Sequence, residues 1–181
     1  MASSLLETGH EVTVVDMEGD RLSVQEAFGR IVASSPEMVA FGGMVTRFRY
    51  VKELTKLVRN RLPGVFTTAG NSGASTVPEV YLKSCEMDCV VLGEGEITAV
   101  ELAGALERGA DWKQVSGLAW LDSDGVLQKS SPREPIADLD SIPWPARDLM
   151  SGGPPIARVV PPLVKPVRTI ILYRGKRKRK I

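Results

Sequence analysis

The chain has 181 residues, enough for one α/β domain with a sizeable core, and a net charge of +1 with 25% charged residues. That balance excludes nucleic-acid binding driven by the charge of the whole chain. No signal peptide or membrane span is legible, and the two cysteines, Cys85 and Cys89, lie in or beside a buried-strand pattern; both features point to a reducing cytoplasm rather than a disulfide framework.

Val12–Asp16 reads as a short strand. Ser23 with Glu26 forms a capping box, and Val24, Ala27, Phe28, Ile31 and Val32 then line one face of a helix. Residues 38–44 are the next strand, ending in Gly42-Gly43-Met44. Thr46 is placed to cap a helix whose inner face is Tyr50, Val51, Leu54, Leu57 and Val58, stopped by Pro63-Gly64. Residues 65–70 form a third strand, followed by a polar loop at 71–75 and a second capping box of Thr76 with Glu79, with Pro78 in the first turn. After Asp88, Cys89-Val90-Val91-Leu92 is an apolar run that ends in Gly93-Glu94-Gly95-Glu96 and opens into a helix bearing Ala99, Leu102, Ala103 and Leu106. This is the pattern of a buried parallel strand, a tight turn and a helix start.

The pattern changes after the last helix. Residues 115–120 and 126–129 flank Asp122-Ser123-Asp124-Gly125, a β-hairpin signature. Ser131 to Pro166 is proline-rich and lacks periodicity, as an extended linker does, with Trp144 and Arg147 placed to anchor it. Residues 167–173 are one more strand-like run, and residues 174–181 are a dense basic tail. Such a tail suits nucleic acid or an anionic membrane, or is simply a solvated end. Alternating strands and helices predict an α/β, Rossmann-like (flavodoxin-like), mostly parallel sheet flanked by helices, with a small hairpin and an extended C-terminal segment. The expected organisation is a domain over 1–130, a linker over 131–166, and a strand with basic tail over 167–181.

From Met1 to Leu149 these segments resemble the cobalamin-binding domain that precedes the catalytic barrel in cobalamin-dependent radical SAM proteins. The residues that carry the resemblance are 5–12 with Val15-Asp16, Val39 to Thr46, Ala69 to Glu79, Gly93-Glu94-Gly95-Glu96, Val115-Ser116-Gly117-Leu118, and 139–149. In that family a strand and a proline-containing loop precede the first helix, where this sequence starts with Met1. A barrel with a three-cysteine cluster motif follows the linker, whereas both cysteines here lie upstream of it. The resemblance therefore implies a domain without its first strand, no iron–sulfur cluster, no cleavage of S-adenosylmethionine, and no catalysis by the chain on its own.

The resemblance also implies which residues would hold cobalamin. They are Gly42, Gly43, Met44 and Thr46; Gly70, Asn71, Ser72, Gly73 and Ser75; and Gly93, Glu94, Gly95 and Glu96. By parallel topology all three turns leave one sheet edge, where ligands of open α/β sheets bind. Ordinary turn chemistry asks for the same residue types. Glu94 and Glu96 read either as an acid/base pair or as acids stabilised by a helix N-terminus. The single histidine, His10, falls between helix and strand in Gly-His-Glu-Val and not in the Asp-x-His-x-x-Gly motif of the second, methionine-synthase type of cobalamin family, so no metal ligand is expected from it. Cobalamin is thus the expected cofactor, weakly held. The alternatives are a ligand-free structural remnant and a domain for a small anion or nucleotide. A sheet lacking a central strand exposes unpaired backbone, so residues 167–173 are expected to fill the gap in their own chain or in a partner, the latter giving a homodimer by strand exchange. Neither membrane association nor specific nucleic-acid binding beyond the basic tail is expected.

Overall fold

The computed structural model describes residues 1–43 and 45–149; Met44, residues 150–166, the strand-like run 167–173 and the basic tail lie outside the described residues. Helix α1 (Ala2–Glu7) opens the chain and α2 (Val24–Ala33) follows. The box predicted at α2 is closed on both sides. The Ser23 hydroxyl accepts from the Glu26 amide at 3.2 Å, and the Glu26 carboxylate accepts from the Ser23 amide at 2.8 Å. Bonding to the Ser23 hydroxyl holds the Glu26 carboxyl below the usual range. Ser23→Ala opens this box and is expected to lower the melting temperature by about 2–4 °C, read by thermal denaturation.

Strand β1 (Met38–Phe41), α3 (Phe48–Arg61), β2 (Phe66–Ala69), α4 (Asn71–Thr76), α5 (Pro78–Cys85), β3 (Cys89–Val91) and α6 (Gly95–Glu107) follow as successive βα units. The hairpin β4 (Leu118–Leu121) and β5 (Leu127–Lys129) completes the sheet. Among the described residues the sheet has five strands in chain order, β1, β2 and β3 parallel, β4 and β5 antiparallel. The α/β, mostly parallel architecture is as the sequence predicts.

Strand alternation divides the core into two layers. Val90 packs with Ala27, Ile31, Phe41, Leu54, Val58 and Leu82 from β1, α2, α3 and α5 on one face. Its neighbours Cys89 and Val91 join Leu102, Ala105 and Leu118 on the other, under α6. An edge-to-face series of Phe66, Trp112 and Trp120, with ring centres 5.2 and 5.8 Å apart, closes that second layer. The hairpin turn is held by Asp122, whose carboxylate accepts from the Asp124 and Val126 amides at 3.0 and 2.8 Å.

Several local expectations are corrected. Val12–Asp16 forms no ladder, because a groove of about 590 Å³ separates it from β1 and backbone bonding needs strands about 5 Å apart. Thr46 lies in a 3-10 turn (Val45–Arg47) and does not cap α3. The polar stretch after β2 is helical, as α4. Thr76 and Glu79 form no box: the Thr76 hydroxyl donates back to the Ser72 carbonyl at 2.7 Å and Glu79 pairs with Lys83, one turn on. Val32 and Tyr50, expected on inner faces, are exposed, because the helices turn Ala27, Ile31, Leu54 and Val58 inward.

The stretch from Ser131 to Leu149 lies against the sheet domain. Arg133 donates to the Thr98 hydroxyl at 2.7 Å and pairs with Glu101 on α6. The Ile136 amide donates to the Glu94 carboxylate at 2.8 Å. The Ala146 amide donates to the Ser3 hydroxyl at 2.8 Å, placing this end beside the start of α1. These backbone contacts and Arg133 fasten the segment to the sheet domain.

Candidate functional site

Parallel pairing brings the three predicted turns to one edge. Phe41 pairs with Ala69, and Ala69 with Val90, so Gly42, Gly70 and the turn at Leu92–Glu94 leave side by side. The Gly70 amide donates to the Phe41 carbonyl at 3.1 Å, and the Leu92 amide to the Gly117 carbonyl at 2.8 Å, locking the first and third turns to their neighbours.

The turns present bare backbone. A Cβ added at Gly42 would meet no atom within 4 Å, and at Gly43 only the Arg47 side chain at 3.8 Å. Gly93 has φ +69°, a left-handed turn that glycine adopts without strain, and it too faces open space. Beside them the Asn71 carboxamide and the Ser72 and Thr46 side chains are exposed. Met44 lies outside the described residues.

The other predicted residues are placed differently. The Ser75 hydroxyl donates to the Val91 carbonyl at 3.1 Å, tying α4 to β3. A Cβ at Gly73 would come within 3.0 Å of the Tyr81 hydroxyl, and one at Gly95 within 3.2 Å of Met1 Sδ and 3.5 Å of Val91. Gly73 therefore serves close packing of α4 on α5 and the Val45 turn, and Gly95 the packing of α6 on β3 and Met1, where Gly42 and Gly93 face open space. Glu94 is the N-cap of α6 and holds the Ile136 amide; Glu96 sits in the first turn, where the helix dipole favours a carboxylate. His10 ends the turn after α1, its amide donating to the Leu5 carbonyl at 3.1 Å.

The sequence reading missed two parts of this region. One is the Arg133 strap under Ser116 and Thr98; an arginine among prolines carries no periodic signal. The other is the groove bounded by residues 13–18 and β1, which opens beside Gly42 and Gly43.

Neither cysteine contributes a reactive group. Burial pushes the Cys85 thiol up to about 11. Burial likewise pushes Cys89 up to about 12, against a bond from its Sγ to the Thr68 hydroxyl at 3.3 Å. At pH 8 the folded protein is expected to react negligibly with a thiol-specific disulfide reagent and to release two equivalents on unfolding in guanidinium. The sign of the stability effect follows. Unfolded thiols ionise near pH 9 while the folded ones stay protonated to about 11 and 12, so the unfolded state binds fewer protons above pH 9 and stability falls as pH rises through that window.

Comparison with known proteins supplies the context. The solved radical S-adenosylmethionine methyltransferase TsrM from Kitasatospora setae superposes with a TM-score of 0.65 at 26% identity, over 74% of this chain and 26% of that one. TsrM has also been solved with cobalamin and a [4Fe-4S] cluster bound. The anaerobic magnesium-protoporphyrin IX monomethyl ester cyclase of Synechocystis is 31% identical over 80% of this chain and 30% of its own length. An uncharacterized methyltransferase of Pyrococcus horikoshii is 28% identical over 82% of this chain and 32% of its own length. The chain thus spans about a third of the curated relatives it matches. These names correct the expectation of a non-catalytic protein: the relatives are named as methyltransferases and cyclases, and this chain corresponds to one region of such enzymes. Among the described residues no helix is long and apolar enough to cross a membrane. The profile of the B12 binding domain matches residues 1–103 of 181, over a sheet whose glycine turns share one edge, and the chain belongs to the B12-binding domain family, related to cobalamin-dependent radical SAM enzymes.

Proposed function

We propose that the glycine edge holds cobalamin, with Gly42, Gly43, Gly70 and Gly93 as the bare surface on which the corrin lies. Thr46, Asn71 and Ser72 would bond its peripheral amides, and Met44 falls in the same turn. Gly73, Ser75, Glu94, Gly95 and Glu96 shape the turns from behind. The observation that carries this reading is the open space over Gly42 and Gly93, where any side chain would occupy the volume that a flat ligand needs. A large amide-rich ligand is matched by backbone groups, hydroxyls and a carboxamide, and this edge offers all three.

Cobalamin supplies radical and group-transfer chemistry once bound. The chain's own part is to bind and orient it: the parallel sheet fixes the three turns relative to one another, and the Gly117 and Phe41 carbonyls lock them. The reactions served would be of the kinds named in the relatives, methyl transfer and cyclisation, with this region as the cobalamin-holding part of the enzyme. Titrating the full chain with hydroxocobalamin tests the binding. A shifted visible spectrum and a 1:1 complex surviving gel filtration are expected; an unchanged spectrum with free cofactor eluting separately would overturn the proposal.

A further inference from the structure

The turn at Leu92–Glu94 is held differently from the other two. Gly42 and Gly70 follow paired parallel strands, and the sheet itself joins them through the bond from the Gly70 amide to the Phe41 carbonyl. β3 is the last parallel strand, and its other neighbour, β4, is antiparallel and begins at Leu118. On that side the Leu92 amide donates to the carbonyl of Gly117, one residue before β4, and the Gly117 amide in turn donates to the Ser131 carbonyl at 2.9 Å. Past the turn, the Glu94 carboxylate accepts from the Ile136 amide at 2.8 Å. Both ends of the turn thus lead to one strap, residues 131–136, while Gly93 between them faces open space.

Arg133 anchors that strap, with a side chain only 15% exposed. Its Nε donates to the Thr98 hydroxyl at 2.7 Å, a terminal nitrogen donates to the Ser116 carbonyl at 3.3 Å, and the guanidinium pairs with Glu101. Thr98, fully buried in α6, also donates to the Ser116 carbonyl, at 3.3 Å. The joint is close-packed: a Cβ at Gly117 would lie 3.1 Å from the Thr98 hydroxyl, 3.4 Å from Arg133 Cβ and 3.5 Å from the Leu92 carbonyl. A planar fork of donors can bridge three acceptors at once, which a point charge on a flexible stem does not. We propose that Arg133 is a positioning residue for the cofactor edge, a role that rests on cobalamin being the ligand of that edge. By tying the strap to α6 and to Ser116 it fixes Gly117 and Glu94, and through them where Gly93 stands relative to Gly42 and Gly70. A ligand lying across three turns loses contacts when one of them moves; the parallel sheet aligns two, and the strap aligns the third. Such coupling is reciprocal, so the bound ligand must in turn steady the strap.

Hydrogen exchange on the full chain and on Arg133→Gln, with and without hydroxocobalamin, tests this. Without cofactor the Leu92 and Gly117 amides are expected to exchange roughly tenfold faster in Arg133→Gln, with the Gly70 amide unchanged. Hydroxocobalamin should bind Arg133→Gln about tenfold more weakly, and Arg133→Lys, which keeps the charge beside Glu101 but not the fork, should not restore it. A third reading needs no variant to fold. In the wild-type chain hydroxocobalamin should slow exchange of the Ile136 amide, which belongs to the strap and to none of the three turns; an arginine that served the fold alone would not produce that link. Gly70 accelerating as much as Leu92 would mean general loosening and overturn the proposal, as would an Ile136 amide indifferent to the cofactor. A wild-type chain that takes up no hydroxocobalamin overturns the cofactor reading and this inference with it, whereas uptake with the same affinity in Arg133→Gln overturns this inference alone.

Discussion

Asp88→Ala is expected to destabilise the domain by about 3 kcal/mol, or roughly 6–12 °C in melting temperature. Asp88 precedes β3, and its carboxylate serves two elements at once. Oδ2 accepts from the Thr67 amide at 2.7 Å and the Thr67 hydroxyl at 2.9 Å; Oδ1 accepts from the Arg59 guanidinium at 3.0 Å. Thr67 is fully buried, so truncation strands an amide and a hydroxyl where water does not reach. Arg59, still tied to the Glu86 carbonyl at 2.7 Å, loses its counter-charge at the same time. Asp88→Asn separates the contributions: its amide oxygen still serves Thr67 but its NH2 faces Arg59, so about half the loss is expected. Chemical denaturation of the three proteins checks both values, and a loss below about 1 kcal/mol for alanine would show that the Thr67 groups find other partners.

Asp88 illustrates what the sequence carries and what it does not. The run Cys89-Val90-Val91 names a buried strand because three consecutive apolar residues before a glycine turn have few other uses, and all three are buried. The turn after it, the hairpin after that and the α2 capping box are likewise local, each defined within a few residues. Asp88 itself gave no signal, because its partners Arg59 and Thr67 are 29 and 21 residues away. The same distinction explains the errors. Thr76 and Glu79 have the spacing of a box, but α4 runs up to Thr76 and uses its hydroxyl to bond the Ser72 carbonyl, so no cap remained available. Val12–Asp16 has strand composition, but a strand needs a neighbour at bonding distance, and that is a property of the sheet, not of the segment. In the candidate site, topology placed the three turns at one edge correctly. Which glycines face outward was not legible, since Gly42 and Gly95 look alike in sequence and differ only in what lies over their missing side chains.

That difference sets the second large effect. Gly42→Leu is expected to weaken cobalamin binding by about 5- to 150-fold, the equivalent of about 1–3 kcal/mol for forcing a side chain into a packed contact. The unliganded fold should tolerate it, because the position has open space and lies outside the left-handed backbone region, so the melting temperature without cofactor should hold. Gly95→Leu provides the contrast. A Cβ there already lies 3.2 Å from Met1 Sδ and in contact with Val91 at 3.5 Å, so the larger leucine side chain must displace neighbours at the joint of α6 and β3; it should lower the melting temperature even without cofactor, and any loss of binding would follow from that disturbance. Titrating both variants with hydroxocobalamin alongside thermal melts resolves the two routes. Binding unchanged in Gly42→Leu would move the corrin off this turn and leave the open space over Gly42 without a role in recognition.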